Sequence, residues 1–384
     1  MWAAFWRELN FLRHSYWDLS LVTLAPLLVI VFLASMLAQG SPRHLPIVVV
    51  DQDHSVYSRQ IIRNLQASPA LSISAYEPNM ALAEQHLKQL KAWAVIHIPA
   101  QAQANLLHGR SPEIASYFNE AFFSIASTVS GGINSAVSAA TREQQQTLIR
   151  QLGVPPIEFN LPIIQVTALY NPQLSYELFL EPFAVTAILH LLLACCVAAS
   201  IGRDFLPCSD TAYIHSNPSY SAFSLLTGKL LPYIIIFSLW CFLWTVWMTG
   251  YRGWVIQGNM LLLLAGQILL FSAYALFATT IVLLAKDINT GLSMVAIYAG
   301  SSLSYAGVTL PTIGAPLFTR IWSNSLPFTA YAKLQTQQWI IGSPWQTSLT
   351  PLLILISFVA GFLLLSLFLI KRLLKRQPVV SVSP

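Results

Sequence analysis

Six apolar segments constrain the fold of this chain more than any other feature. Each has close to the roughly 20 residues that an α-helix needs to cross about 30 Å of hydrocarbon, and a helix satisfies all its backbone polar groups internally. The segments are Leu19–Ala38, Leu178–Ile201, Leu230–Met248, Met260–Ala285, Leu292–Leu310 and Leu349–Ile370. They predict an α-helical polytopic membrane protein with six transmembrane helices, the first at residues 19–38 and the other five within residues 178–370.

The composition supports a membrane protein and argues against a nucleic-acid-binding one. The 384 residues are 55% hydrophobic and only 9% charged, whereas a soluble domain carries about 25% charged residues. The formal net charge of +5 comes largely from the tail at residues 371–384, and the other basic residues are scattered. This pattern indicates contact with a lipid surface, and we expect no nucleic-acid partner.

The first apolar segment has two interpretations. Leu19–Ala38 contains no charge over a stretch longer than the roughly 7–15 apolar residues of a signal peptide, and "SMLAQG" lacks the paired small residues of a cleavage site. We therefore predict an uncleaved anchor, with a cleaved signal peptide as the alternative.

Basic residues near the segment ends predict the orientation, because Lys and Arg are enriched in cytoplasmic loops. With six spans, most of them fall on the same side as both termini. Residues 1–18 and 371–384 would then be cytoplasmic, and residues 39–177 extracytoplasmic. Residues 1–18 mix Trp, Phe and Leu with Arg7, Glu8 and Arg13, which predicts an interfacial amphipathic helix on the inner leaflet.

Residues 39–177 alternate between strand-like and helix-like patterns. Four short β-rich stretches, "LPIVVV", "LSISAY", "AWAVIHIP" and "EIASYFN", are separated by three stretches of helical period. This alternation predicts an extracytoplasmic α/β domain inserted between transmembrane helices 1 and 2. A longer helical stretch follows, and we expect Gly131 and Gly132 to bend or interrupt it.

The acidic turn "DQDHS" contains metal-ligand residue types, but no Gly or Glu follows at the spacing of a calcium loop. We favour helix capping by Asp53 or Ser55. No motif of a hydrolase or a zinc enzyme is present in the sequence. Gly228-Lys229 lacks the preceding Gly and the following Ser or Thr of a phosphate loop, so we expect no catalysis and no nucleotide binding by this chain.

An ordered series of segments resembles the ABC-2-type transporter permeases, in particular the bacterial multidrug exporter group with a large extracytoplasmic domain. The segments are "VVVDQDHSVYSRQIIRNLQASP", "IPAQAQANLLHGRSPEIASYFN", "ALYNPQLSYELFLEPF", "GKLLPYIII" and "YAGVTLPTIGAPLFTRIWSNSLPFTAYAKLQTQQWIIG". The last of these resembles the outer re-entrant segment of that family, here residues 311–347.

The resemblance implies the permease subunit of an ATP-binding-cassette exporter in the bacterial inner membrane. Two such chains, identical or paralogous, would pair and dock a cytoplasmic ABC ATPase dimer, which would hold the ATP and Mg; no cofactor is expected on this chain. In related systems a periplasmic adaptor and an outer-membrane channel often complete the export route. The N-terminal helix would also contact the ATPase, with simple membrane anchoring as the alternative.

The resemblance also implies a cytoplasmic coupling loop at residues 202–227. Relatives carry an acidic-basic run there, and in this chain only Arg203 and Asp204 match it. Pro207 would break a helix that began at these residues. Arg203 and Asp204 are the candidate coupling residues.

Ionisable and polar groups inside the predicted spans are candidates for the transport path or for helix interfaces. They are His190, Glu181, Ser301, Ser304 and Tyr305. At about 100° per residue, Glu181 and His190 lie on opposite faces of their helix. For His190, facing inward, we consider either a hydrogen bond between packed helices or contact with cargo.

The predicted function is therefore efflux of a hydrophobic or amphipathic substrate, such as a drug or lipid, driven by a separate ATPase. The alternative is a non-transporting receptor or assembly scaffold that acts through its outer domain. Polar and small residues within the spans favour the transporter.

Overall fold

The structure is a computed structural model and describes residues 1–38, 40, 42–108, 110, 112–119, 123–152, 171, 175–205, 221–309 and 312–376. The described residues divide into two compact units. One is helical and contains residues 1–38 and those from 176 onward. The other is an α/β unit, formed mainly by residues 40–152.

The α/β unit is a four-stranded sheet covered by helices on both faces. Its elements are β1 (Leu45–Asp51), α3 (Val56–Ala67), β2 (Leu71–Tyr76), α4 (Met80–Lys88), β3 (Ala94–Ile98), α5 (Ala102–Leu107), β4 (Ala115–Phe118) and α6 (Phe123–Leu152). The strand order is β2-β1-β3-β4. β1 pairs in parallel with β2 and β3, whereas β4 is antiparallel to β3.

The central strand β1 is apolar along its whole length because both of its faces are covered. Ile47 and Val49 pack in a core with α3 and α6, and Val48 and Val50 pack on the other face with Ala83 of α4. The predicted strands and helices therefore occur in the predicted order.

The acidic turn after β1 caps helix α3. Ser55 accepts a hydrogen bond from the backbone N–H of Ser58 at 3.0 Å. Asp51 stabilises the turn itself, since its Oδ1 accepts from the N–H groups of Asp53 and His54 at 3.0 and 3.1 Å. Asp53 accepts instead from the N–H of Gln103 in α5, at 3.1 Å. Of the two predicted caps, Ser55 is the residue that caps the helix.

The expected interruption at Gly131 and Gly132 does not occur, because α6 continues through both residues as one helix of 30 residues; the alternative of a bend stays a prediction. A Cβ atom at Gly132 would lie 3.1 Å from Cδ1 of Leu71. Glycine at this position lets α6 approach β2 closely. A glycine inside a helix is less favourable than an alanine, because it loses more conformational freedom on folding, and the helix continues despite this.

The helical unit begins with α1 (Trp2–His14) and α2 (Tyr16–Leu37). After the α/β unit it continues with α7 (Tyr176–Phe179), α8 (Glu181–Phe205), α9 (Ala222–Gly250), α10 (Met260–Ala285), α11 (Ile288–Gly300), α12 (Ser302–Tyr305), α13 (Leu317–Ser325), α14 (Pro327–Gln335), a π-helix (Thr336–Ile341) and α15 (Leu349–Arg376).

Five described helices, α2, α8, α9, α10 and α15, are long and apolar enough to cross a membrane. α8 and α10 are mostly buried, whereas α2 and α15 expose most of their apolar side chains. The sixth predicted span, Leu292–Leu310, coincides with two shorter helices, α11 and α12, that meet at Ser301. The count of six spans stays a prediction.

Helix α9 differs from its predicted span because it begins at Ala222, eight residues before Leu230. The predicted span began one residue after Lys229, and a lysine is costly in hydrocarbon. In the structure Lys229 lies inside the helix and is 3% exposed. The ionic contacts that allow this burial form the candidate site described next.

Candidate functional site

A buried ionic cluster joins α1 to the C-terminal end of α8 and the N-terminal part of α9. We call it the Glu8 cluster. Its members are Arg7 and Glu8 of α1, Ser200, Arg203 and Asp204 of α8, and Lys229 and Tyr233 of α9. It contains three cationic and two anionic side chains, drawn from parts of the chain about 200 residues apart.

The sequence of α1 places Glu8 on the apolar face of an amphipathic helix. Ala4, Glu8 and Leu12 follow one another at intervals of four residues, and all three are buried. Trp2 and Trp6 lie on the exposed side. An acid on the buried face of a helix needs partners from the elements packed against it.

Glu8 receives four hydrogen bonds, which use both of its carboxylate oxygens. Oε2 accepts from Lys229 Nζ at 2.9 Å. Oε1 accepts from Arg203 Nη2 at 2.7 Å, from Ser200 Oγ at 2.7 Å and from the Tyr233 hydroxyl at 2.8 Å. All four donors belong to α8 and α9, so this carboxylate holds α1 against both helices.

Asp204 is the second acid of the cluster and shares Lys229 with Glu8. Lys229 Nζ donates to Asp204 Oδ2 at 2.6 Å, and Arg203 Nε donates to Oδ1 at 3.3 Å. Arg7 of α1 also forms an ion pair with Asp204. Lys229 therefore bridges two carboxylates, and its burial is matched by opposite charge on two sides.

The cluster keeps Glu8 ionised. Burial alone would raise the pKa of this carboxyl, but the charges of Lys229 and Arg203 and the hydrogen bonds from Ser200 and Lys229 lower it from 4.5 to about 2. A lowering of this size corresponds to roughly 3 kcal/mol in favour of the charged form. Glu8 is thus an anion in the folded protein throughout the physiological pH range.

Close packing of α1 on α9 depends on Gly228. A Cβ atom there would lie 2.5 Å from the Met1 carbonyl oxygen and 2.8 Å from the Ala4 Cβ. The guanidinium carbon of Arg203 also lies 3.5 Å from the centre of the Phe11 ring, within the range of a cation–π contact. Backbone approach, ring stacking and ion pairing therefore fix α1 in one position.

A second ionic contact lies at the opposite end of α9. Arg252 forms a bidentate ion pair with Glu177 of α7, in which Nη2 donates to Oε2 at 2.8 Å. The same guanidinium donates to the carbonyl of Ala38, after α2, at 3.0 Å. The hydrogen bonds that Arg252 donates to Glu177, together with the negative charge of that carboxylate, raise the pKa of Arg252. This contact ties α2, α7 and α9 together.

Comparison with protein families identifies a family that covers most of the chain. The family model for ABC-2 family transporter proteins covers residues 16–368. The chain belongs to the ABC-2 transporter family. No match to a curated protein or to a solved structure was found.

Members of this family form the membrane component of ABC transporters, so the chain is a multi-pass membrane protein with a role in transport. Its two predicted coupling residues lie in the Glu8 cluster. Arg203 and Asp204 occupy the last turn of α8, and the predicted coupling loop continues from there through residues 206–220, which lie outside the described residues.

His190 is fully buried in the middle of α8. Its Nδ1 lies 3.0 Å from the Thr186 carbonyl oxygen, and its Nε2 lies 3.3 Å from that of Ala299 in α11. Its ring packs against Tyr274 and Phe328, with centroids 4.0 and 5.1 Å away. These contacts are those of a histidine hydrogen-bonded between packed helices.

Glu181 begins α8 and is 0% exposed. Its Oε1 accepts a hydrogen bond from Trp244 Nε1 of α9 at 3.1 Å. Its side chain is therefore enclosed by the helical unit. Glu181 and His190 share no contact among the described interactions.

The three remaining predicted residues lie around the junction of α11 and α12. Ser301 accepts a hydrogen bond from Trp322 Nε1 at 3.0 Å. Tyr305 is half-buried and Ser304 is exposed. The interior position of this turn is taken by Ser302, whose hydroxyl lies 2.5 Å from that of Tyr274. Ser302 is therefore the serine that joins α10 to α12 in this protein.

Sequence reasoning predicted Arg203 and Asp204 as site residues and missed the other five members of the cluster. Arg7 and Glu8 were treated as part of an interfacial mixture, Lys229 as a failed phosphate-loop residue, and Ser200 and Tyr233 as parts of apolar spans. A signal was present, because Lys229 is a single lysine with apolar residues on both sides, and intramembrane charges mark paired or functional positions. The identity of its partners is set by tertiary packing.

Most of the predicted cytoplasmic tail lies outside the described residues. Helix α15 continues to Arg376, so the first residues of the basic tail, from Lys371, extend the last span as helix. Residues 377–384 are not described.

Proposed function

We propose that this chain is the permease subunit of an ATP-driven exporter and that the Glu8 cluster transmits motion from the coupling loop to the transmembrane helices. The observation that carries this proposal is the position of the cluster. Its α8 residues end two positions before the undescribed segment 206–220, and its α9 residue Lys229 follows that segment by nine positions.

A push on the segment between α8 and α9 would act on both helix ends. The shared hydrogen bonds of Glu8 and Asp204 make those ends and α1 move together rather than separately. Coupling in such proteins requires a rigid element with discrete positions, and the buried charges supply that rigidity, since separating them would leave uncompensated charge in the interior.

The wider assembly follows from family membership and from the distribution of charge. In this proposal a separate ATPase dimer holds ATP and Mg, and two permease chains, identical or paralogous, pair in the bacterial inner membrane. Both termini face the cytoplasm and the α/β unit faces the periplasm. That unit docks a periplasmic adaptor or an outer-membrane channel, or gates exit.

The cargo in this proposal is hydrophobic or amphipathic, such as a drug or a lipid-like molecule. The support is the apolar character of the helical unit, with 55% hydrophobic residues in the whole chain. The family match favours transport over the alternative of a receptor or scaffold.

The test isolates the chain from native membranes together with any bound ABC ATPase and reconstitutes the complex in vesicles. We expect ATP hydrolysis and efflux of a lipophilic fluorescent dye. Lys229→Met should lower efflux per ATP hydrolysed, whereas Lys333→Met, at an exposed lysine of α14, should leave it unchanged.

The outcomes separate the two parts of the proposal. Efflux by wild type with equal coupling in both lysine variants would refute the role of the Glu8 cluster. ATP hydrolysis by the chain purified free of any ATPase would refute its assignment as a permease subunit.

A further inference from the structure

The segment between α9 and α10, residues 251–259, is held at both of its ends by contacts with other parts of the helical unit. We call it the strap. Trp254 and Ile256 pack against the hydrophobic core of the unit, whereas Val255 between them is exposed. The strap therefore lies on the surface of the helical unit and is attached to it along its middle by two apolar side chains.

The Asn259 end of the strap binds the π-helix through three successive backbone N–H groups. The N–H groups of Gln257 and Gly258 donate to the carbonyl oxygens of Trp339 and Gln338, at 3.2 and 2.8 Å respectively. The N–H of Asn259 donates to the side-chain Oε1 of Gln338 at 2.7 Å. Since the last carbonyls of a helix have no partner within it, the strap supplies donors that the end of the π-helix needs.

Gln338 connects the strap to the start of α15. Its side chain is fully buried, and its amide nitrogen donates to Ser348 Oγ at 2.7 Å and to the Ser343 carbonyl at 3.1 Å. Ser348 directly precedes α15, which begins at Leu349. One glutamine side chain therefore joins the strap, the turn after the π-helix and the last long helix.

Two glycines allow the strap to lie against the end of the π-helix. A Cβ atom at Gly258 would be 2.9 Å from the Gln338 carbonyl oxygen. A Cβ atom at Gly342, which follows the π-helix with a φ of +73°, would be 3.0 Å from the Cβ of Gln257. The contact is therefore shaped from both sides, because each glycine gives room to a residue of the opposite segment.

The two ends of the strap differ in what it costs to separate them. At the other end Arg252 pairs with the carboxylate of Glu177, which is buried, and removing the partner of a buried charge is strongly unfavourable. At the Asn259 end the donors are backbone N–H groups of exposed residues, and water can replace their acceptors at little net cost. The Asn259 end is therefore the end that opens, and the Arg252 end is the one that stays attached.

We propose that the strap is a latch of the exporter, which pivots at Arg252 and releases Gln338 during each transport cycle, so that the π-helix and the start of α15 can move. Single π-helical turns are frequent at functional sites, and the strap closes directly on this one. The inference rests on the proposed export function and does not depend on the role of the Glu8 cluster.

A reversible crosslink tests whether export needs the strap to open. The 3.0 Å between Cβ positions at Gln257 and Gly342 is close to the roughly 3.5–4.5 Å that a disulfide spans. Gln257→Cys combined with Gly342→Cys, in a chain whose four native cysteines are replaced, should therefore form a disulfide between the strap and the end of the π-helix.

The crosslinked chain is assayed in vesicles together with its ATPase. We expect oxidation to lower efflux of the lipophilic dye at least tenfold and a reductant to restore it, whereas each single cysteine variant should respond to neither. Equal efflux in the oxidised and reduced states, with the disulfide formed, would overturn the proposal.

Hydrogen exchange of the full chain in detergent gives a second readout that needs no transport. We expect the N–H groups of Gln257 and Gly258 to exchange at least tenfold faster than that of Arg252, which donates to the Trp247 carbonyl in α9. Equal exchange rates at the two ends of the strap would overturn the proposal. This measurement also decides if the cysteine pair does not fold.

Two buried glutamines provide a matched pair of variants for the exchange experiment. Gln338→Leu should speed exchange of the Asn259 N–H several-fold, because it removes the acceptor of that group. Gln335→Leu is the control, since Gln335 is equally buried and its amide has no described partner in the strap. An equal effect of the two substitutions would contradict the latch. Wild-type vesicles without efflux would instead refute the proposed function, and hydrogen exchange would then decide alone whether the strap opens.

Discussion

A double-mutant cycle on Glu8 and Lys229 tests the electrostatic structure of the cluster. Wild type holds three cations and two anions there, a net charge of +1. Glu8→Gln leaves three cations facing Asp204 alone, a net charge of +2. Lys229→Met brings the net charge to 0 and leaves each acid with an arginine, Glu8 with Arg203 and Asp204 with Arg7. The double variant restores +1.

The magnitudes follow from these charges. Breaking a buried ion pair by removing one partner costs about 3–5 kcal/mol, and the lowered pKa of Glu8 gives roughly 3 kcal/mol. We expect Glu8→Gln to destabilise the protein by about 3 kcal/mol. Lys229→Met should cost less, about 2 kcal/mol, because the arginines remain. The double variant should be more stable than the sum of the single effects predicts, by at least about 1 kcal/mol.

The assay is unfolding of the purified full chain in one detergent at one protein concentration, followed by near-ultraviolet circular dichroism. Lys333→Met serves as the control for removal of a lysine charge at an exposed position. Strictly additive single effects would show that Glu8 and Lys229 do not interact. Two neutral single variants would show that the cluster is not buried as described.

Three further predictions concern individual residues. Gly228→Val should detach α1, because the added side chain would overlap the Met1 carbonyl and Ala4; a fluorophore on Asn10 would report this, and an unchanged signal would refute the contact. Acid should release α1 only below pH 4.5, towards pH 2, because the lowered pKa of Glu8 gives stability that is present above its ordinary value and lost as the pH falls. The same fluorophore should show no such acid transition in Glu8→Gln. Cysteine in place of His190, in a cysteine-free chain, should resist lipid-phase labelling because this position is fully buried, whereas cysteine at the exposed Ala199 should react; the reverse order would contradict the packing of α8.

The sequence predicted the elements whose pattern is local. Four of the apolar segments lie within a few residues of helices α2, α8, α10 and α15, because apolar length is sufficient to indicate a helix of this kind. The strands of the α/β unit were equally accessible, since β1 is a continuous apolar run and a turn follows it. The predictions failed where the position of a residue depends on contacts with distant parts of the chain.

Lys229 and Gly132 illustrate this limit. Lys229 was left outside the predicted span, and its two carboxylate partners come from α1 and α8. Gly132 appeared to be a helix breaker, and its role is to let α6 lie against Leu71 of β2. Neither partner can be identified from neighbouring residues. The candidate site was predicted only for Arg203 and Asp204, which stand at a helix end that the family resemblance marked.

The order of the charges along the chain bears on how the protein is made. Glu8 and Asp204 are both synthesised before Lys229. A lysine entering the membrane alone is costly, but here its two counter-charges leave the ribosome first, and α1 and α8 can already be in place when α9 is inserted. A ribosome that stalled or a chain truncated before Lys229 would leave Glu8 with Arg203 and Ser200 of α8 but without its two donors from α9, Lys229 and Tyr233. Attachment of the N-terminal helix is therefore a late event in biogenesis, completed only when the third long apolar helix arrives.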